Sequence, residues 1–157
     1  FANIGNTSVE VFDLHDVIGS LKELYRPNYN VSLDWKPVHA RVMIEADKTQ
    51  MNRLFTNLLA NAVEACNGAD VCKIEVNEEI SENGTIIIRI KDNGEGIPDE
   101  VQEKIFVPNF TTKSSGTGLG LAMCKGIVEQ AKGNIWFETS QGKGTTFHVE
   151  LPIMDNL

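Results

Sequence analysis

Two asparagines one helical turn apart, an Asp-x-Gly-x-Gly turn and three glycines at alternate positions are the residues of this chain best suited to chemistry. Asn57 and Asn61 lie inside the run DKTQMNRLFTNLLANAVEAC, residues 47–66. Asparagine is a mediocre helix former, so a pair of them in mid-helix beside an apolar face needs a reason. A carboxamide oxygen is a hard, neutral ligand of the kind Mg²⁺ accepts while keeping several waters. Two ordinary solvated side chains would leave the same pattern.

Asp92-Asn-Gly-Glu-Gly-Ile follows the most β-branched run of the chain. A carboxylate at a strand end is held rigidly, and glycines two apart let the backbone approach a ligand. A polar turn leaving a sheet has the same composition. Ser115-Gly-Thr-Gly-Leu-Gly-Leu opens a helical pattern. Amides there meet the positive end of a helix dipole, which suits phosphate, although a flexible hinge also uses such glycines. The stretch is neither GxGxxG in a βαβ unit nor a P-loop, because no Gly-Lys-Ser/Thr follows. Between these two stretches, Phe106 and Phe110 stand in a polar loop that ends Thr111-Thr112-Lys113. They read as a lid docking on apolar surface, with Lys113 bringing a positive charge to a phosphate, or as a loop pinned by two aromatics. Gly142-Lys-Gly-Thr-Thr-Phe by itself says hairpin.

Other chemistries find little support. His15 is expected on the wet face of a helix, His39 in a loop and His148 in a strand, none with a nucleophile or second ligand at useful spacing. Cys66, Cys72 and Cys124 are odd in number and form no CxxC. Two of them sit in helical patterns and read as small apolar residues, and the set reads as that of a reducing compartment without a metal cluster. A net charge of −8 disfavours nucleic acid and direct membrane contact. No apolar run approaches the ~20 residues of a membrane span, and there is no signal-peptide pattern. The opening Phe suggests a piece excised from a longer protein, whose own anchoring stays open.

The elements that must position these residues follow from periodicity. In residues 47–66, Met51, Leu54, Phe55, Leu58, Leu59, Ala62, Val63 and Cys66 form one helix face, with Asp47 as N-cap and Asn67-Gly68 as stop. A helix is expected over 14–25, stopped by Pro27, and another over 119–132, ending at Gly133. Strands are expected over 9–14, 31–35, 42–46, 71–79, 85–92, 134–139 and 145–151. The strand over 85–92 reads as central and as hairpin partner of 71–79 through Asn83-Gly84. Regular pattern is mostly lost over 93–118, apart from one or two helical turns over 99–105. The fold class is an α/β (α+β) two-layer sandwich: a mixed, largely antiparallel sheet on about three helices. Residues 9–152 form the domain, with 1–8 a linker and 153–157 a tail.

In this order, the boxes Asn…Asn, DxGxG, FxxxFTTK, GTGLGL and GKGTTF closely resemble the catalytic, ATP-binding domain of bacterial two-component sensor histidine kinases. That domain has the Bergerat fold shared with gyrase, Hsp90-type chaperones and MutL. NAxEA and FTTK with a short lid look nearest to the nitrogen-regulation branch. The resemblance implies ATP and Mg²⁺ as cofactors, with Asn61 as metal ligand and Asn57 beside the phosphates. Asp92 would accept from the adenine amine, Gly94 and Gly96 would let the backbone approach the base, and Thr146 and Phe147 would close the adenine end. The implied nucleotide site further includes Glu64, Ile97, Phe110, Thr111, Thr112, Lys113, Gly116, Thr117, Gly118, Leu119, Gly120 and Leu121. Two departures stand out: Glu64 replaces a Lys or Arg of many relatives, and Asn109 replaces a second Phe.

Hydrolysing branches of that family carry a general-base Glu where this chain has Asn57, which takes no proton at neutral pH. The resemblance therefore implies transfer of the γ-phosphoryl to a histidine on a separate dimerisation and phosphoacceptor hairpin, then to a response regulator receiver domain, in the cytoplasm. The acceptor pattern is absent here, since His15 lacks the following basic residue and Pro. A nucleotide-binding interaction module without turnover and a serine kinase of anti-sigma type share these boxes and remain open.

Overall fold

A computed structural model describes residues 8–24, 30–66, 71–108 and 120–154. Its longest helix, α2 (Lys48–Ala65), starts where the sequence places a cap. Asp47 is extended, and its Oδ1 accepts from the Gln50 N–H at 3.1 Å. Its Oδ2 accepts from the Ser8 N–H at 2.9 Å, so one carboxylate joins the entering chain to the helix. Met51, Leu54, Phe55, Leu58, Leu59 and Ala62 are buried on one face. Removing each larger one from water contributes about 1.5–3 kcal/mol.

Before α2 come β1 (Val9–Asp13), α1 (Leu14–Leu24), β2 (Val31–Trp35) and β3 (Met43–Asp47). Asp13 caps α1, accepting from the His15 N–H at 3.0 Å, and it also accepts from Val42 N–H at 3.0 Å. After α2 come β4 (Cys72–Ile80), β5 (Thr85–Asp92), a 3-10 helix (Asp99–Lys104), α3 (Gly120–Gln130), β6 (Asn134–Ser140) and β7 (Gly144–Pro152). Five strands form one mixed sheet in the order β2-β4-β5-β7-β6, and β5 is central as its β-branched run predicts. β2 runs parallel to β4, and the other neighbours are antiparallel. The Asn83-Gly84 turn forms, with Gly84 at φ +78°. Ile86, Ile88 and Ile90 of β5 are buried and point toward α2, which lies between α1 and α3. This is the two-layer sandwich expected from the sequence. No helix among the described residues is long and apolar enough to cross a membrane.

Several local expectations change. The two strands flanking Pro37, whose partners the sequence leaves open, lie in different sheets. β3 pairs antiparallel with β1 as a separate two-stranded sheet, Val9 opposite Asp47. α3 ends through Lys132 at φ +64°, while Gly133 serves close packing, since a Cβ there would strike the Glu150 carbonyl. Ile153 and Met154 stay tied to the fold, donating to Gly84 O at 3.1 Å and Met43 O at 2.8 Å. The cysteines are not all lone apolar residues, because Cys66 at the end of α2 forms a disulfide with Cys72 at the start of β4, their Cα atoms 5.4 Å apart. Cys124 is a buried free thiol whose pKa burial pushes up to about 12.

His15 is not on a wet face. Its Nε2 lies 2.7 Å from Oε1 of Glu78, a carboxylate of β4 that faces the helices and is 5% exposed. Glu78 Oε2 accepts from the Val38 and His39 amides at 3.1 and 3.0 Å and meets His39 Nδ1 at 3.1 Å. Burial alone would raise the Glu78 pKa, but the His39 amide and the two imidazoles outweigh it and hold the carboxyl below its ordinary value of 4.5.

Candidate functional site

The C-terminal end of β5 delivers Asp92 to a position only 4% exposed. Its Oδ1 accepts two backbone N–H bonds, from Gly94 at 2.9 Å and from Thr145 at 3.1 Å. Bonds from two fixed amides lock the orientation of the carboxylate and satisfy its buried oxygen. The loop after Asp92 is clamped from both sides. The Glu95 N–H donates to Ala65 O at 3.1 Å, at the end of α2, and a Cβ on Gly94 would strike that same carbonyl. On the other side, Gly142 N–H of the β6–β7 turn donates to Glu95 O at 2.8 Å. Gly144 is at φ +124°, and a Cβ on it would strike Asp92 O. The glycines thus let three backbone segments meet around one carboxylate.

Asn93 fastens the same loop to the start of β4. Its Oδ1 accepts from the Lys73 N–H at 2.8 Å and lies 3.3 Å from Cys66 Sγ, and its Nδ2 donates to Val71 O at 3.1 Å. Ile97 N–H donates to Thr139 Oγ1 at 2.9 Å, and Thr139 Oγ1 lies 2.8 Å from Thr145 Oγ1.

On α2, Asn57 spends its amide on the helix, donating from Nδ2 to Arg53 O at 2.9 Å. Its Oδ1 is turned toward the start of α3, where a Cβ on Gly120 would sit 3.4 Å from it. Asn61 follows one turn later and is half-buried, Glu64 is exposed, and Leu121 is half-buried in the first turn of α3. Phe106 docks on Phe137 and Phe147 at ring-centroid distances of 6.1 and 6.4 Å, with Lys125 Nζ 5.9 Å over its ring. Phe106 thus packs on apolar surface, while the rest of the expected lid, residues 109–113, lies outside the described residues.

The structure therefore brings together Asp92, Gly94, Gly96 and Ile97 on one side and Asn57 and Gly120 on the other. Thr146 is not part of this grouping. It pairs with Lys91 on the face of the sheet turned away from Asp92, whereas Thr145, 3% exposed, meets Asp92. Strand parity carried the signal, because residues two apart share a face and Thr145 shares one with buried Phe147. Thr139 and Asn93 carried none that the sequence alone makes visible. Phe110, Thr111, Thr112, Lys113, Gly116, Thr117, Gly118 and Leu119 lie outside the described residues. Among the described residues no three His, Cys, Asp or Glu side chains are grouped to hold a metal ion. The donor set still fits a magnesium nucleotide: a fixed carboxylate acceptor for a base, and carboxamides for a hydrated hard cation near a helix start.

The family model described as histidine kinase-, DNA gyrase B- and HSP90-like ATPase matches residues 46–155. The sensor kinase CckA of Brucella abortus (strain 2308) is 36% identical over 160 residues, covering 91% of this chain and 17% of its own length. The sensor histidine kinase ZraS of Salmonella typhimurium is 39% identical over 111 residues, covering 71% of this chain and 23% of its own. This chain thus spans less than a quarter of either relative. A nucleotide-free structure of the catalytic domain of the histidine kinase ThkA superposes with a TM-score of 0.81 at 31% identity, over 92% of this chain and 97% of that one. ThkA in complex with the response regulator protein TrrA gives 0.76 at 29% identity, over 94% of this chain and 42% of that one. Box order, mixed sheet and clamped Asp92 agree with this likeness, and the chain belongs to the histidine kinase-, DNA gyrase B- and HSP90-like ATPase family.

Proposed function

We propose that this chain is the ATP-binding catalytic domain of a sensor histidine kinase. It holds Mg-ATP and presents the γ-phosphoryl to a histidine on a dimerisation and phosphoacceptor hairpin of the parent protein, for relay to a response regulator receiver domain. The observation that carries this reading is the Asp92 carboxylate, fixed by the Gly94 and Thr145 amides as a buried acceptor at the end of β5.

Asp92 accepts from the exocyclic amine of adenine and so selects the base. Gly94, Gly96 and Ile97 line the base through their backbone. Asn61 supplies a carboxamide oxygen to the magnesium, with Asn57 and Glu64 on the same side of α2. We assign Gly116, Thr117, Gly118, Leu119, Gly120 and Leu121 to the phosphate site, and Phe110, Thr111, Thr112 and Lys113 to the lid. Bound Mg-ATP supplies the transferable phosphoryl group. With Asn57 engaged to Arg53 O and unable to take a proton, this side of α2 orients the nucleotide without activating water. The domain works in the cytoplasm, residues 1–8 linking it to the helical acceptor domain.

Calorimetric titration with ATP and GTP, each with and without Mg²⁺, tests the reading. The expected result is selective ATP binding strengthened by Mg²⁺, followed by phosphotransfer when the acceptor hairpin is supplied in trans. Equal binding of both nucleotides, or none, would reject it.

A further inference from the structure

Asn93 is an exposed residue whose carboxamide is nevertheless spent on backbone, accepting from the Lys73 N–H and donating to Val71 O. Along a strand, the backbone groups of successive residues point to alternate sides. The Cys72 N–H goes to Asn30 O at 2.8 Å, beside the start of β2. The groups of Val71 and Lys73 therefore point the other way, toward β5. The ladder puts Ile74 opposite Asp92, so its next step would bring backbone past Lys73. The chain turns away instead, and the Glu95 N–H donates to Ala65 O of α2. A carboxamide carries the same acceptor and donor as a peptide unit. The Asn93 side chain stands in for the departed backbone and keeps the start of β4 satisfied.

What Asn93 grips is itself fixed. Cys72 lies between Val71 and Lys73 and is joined to Cys66 at the end of α2 by the disulfide. The Cys66 sulfur, 3.3 Å from Asn93 Oδ1, is part of that bond and has no proton to donate. The loop after Asp92 is thus held at Asn93 on β4 and at Glu95 on α2. Between them lies the peptide unit of Asn93 and Gly94, whose N–H binds Asp92 Oδ1.

We propose that Asn93 is a positioning residue for base selection: by replacing backbone pairing at the end of the β4–β5 ladder, it holds the Gly94 N–H that aims the Asp92 carboxylate at an exocyclic amine. Its carboxamide faces β4, so it acts on the base through Asp92. This inference rests on the reading of Asp92 as the adenine acceptor.

The test uses the 157-residue chain with ATP and with purine ribonucleoside triphosphate, in which a hydrogen replaces the adenine amine. The wild-type chain is expected to bind ATP roughly tenfold more tightly, the equivalent of one hydrogen bond. Asn93→Ala should weaken ATP and leave the purine nucleotide unchanged, so that the gap narrows. A merely structural residue would weaken both alike. Coupling is reciprocal, which gives a second measurement that needs no variant. In the wild-type chain ATP should slow hydrogen exchange at the Lys73 amide more than the purine nucleotide does, measured against the amides of the β1–β3 pair. A gap left intact by Asn93→Ala, or Lys73 exchange that is the same with both nucleotides, overturns the role of Asn93 alone. Equal wild-type affinity for the two nucleotides, or no binding of either, rejects the reading of Asp92 and the role of Asn93 with it.

Discussion

Asp92 carries a negative charge into a position almost closed to water and finds two amides for one of its oxygens. An asparagine there keeps one acceptor oxygen but replaces the other by an amide donor, which opposes an incoming amine. Asp92→Asn is therefore expected to weaken ATP by about 1–3 kcal/mol with little change in fold. Titration calorimetry at fixed Mg²⁺ measures it, and an unaltered Kd would remove Asp92 from the base site. How much of this was legible varies residue by residue. Asp92 could be picked out only by the order of its box among the others, because a polar turn leaving a sheet has the same composition. Thr145 lay within reach of parity, and Thr146 was the wrong neighbour. His15 was misread because its partner, Glu78, is 63 residues away, and no helical wheel contains it. The Cys66–Cys72 pair likewise depends on a helix end meeting a strand start, a fact of tertiary structure.

Among the elements, α2 and β5 announce themselves by period, cap and β-branching, and both stand where expected. Strand partners do not announce themselves. Alternation tells which face of a strand is buried but not which strand lies beside it, so the β1–β3 pair and the parallel β2–β4 pair had to come from the structure. The junction of α2 with the loop after β5 has the least slack. Gly94 packs on the Ala65 carbonyl with no room for a methyl group, and backbone cannot yield as a side-chain tip can. Gly94→Ala should cost more than the 1–3 kcal/mol typical of overpacking, part of it as lost nucleotide affinity. Urea unfolding with and without Mg-ATP would divide the two. A variant as stable and as tight-binding as the wild type would show that the loop can move off α2.

Across the whole molecule, Glu78 links three regions through one carboxylate: α1 by His15, the chain before β3 by Val38 and His39, and the sheet by β4. Its pKa is lowered in the fold, so the stability it gives is complete above its ordinary 4.5 and is lost as pH falls through the folded value. His148 acts in the same direction in a higher window. It is 5% exposed and stacked on Trp136 at 5.0 Å, and its Nε2 lies 2.8 Å from Glu138 Oε1 without hydrogen-bond alignment. Burial first, with Arg89 adding, outweighs the attraction of Glu138 and lowers its pKa below 6.5. The unfolded chain then binds the proton first, and stability declines as pH drops below that value. Urea midpoints should fall as pH drops below 6.5 and again below 4.5, and Glu78→Gln should destabilise the protein at pH 7 while removing most of the second decline. A midpoint flat from pH 7 to 4 would contradict both assignments.

Asp47 has a mechanical meaning beyond capping. One of its oxygens holds the Ser8 amide and the other the Gln50 amide, so one carboxylate touches both the strand that enters the domain and the helix that carries Asn57 and Asn61. That side chain adds to the backbone ladder of β1 with β3, which runs straight into the same helix. Asp47 is in this sense a linkage pin, fastening the entry of β1 to the footing of the helix that carries Asn57 and Asn61.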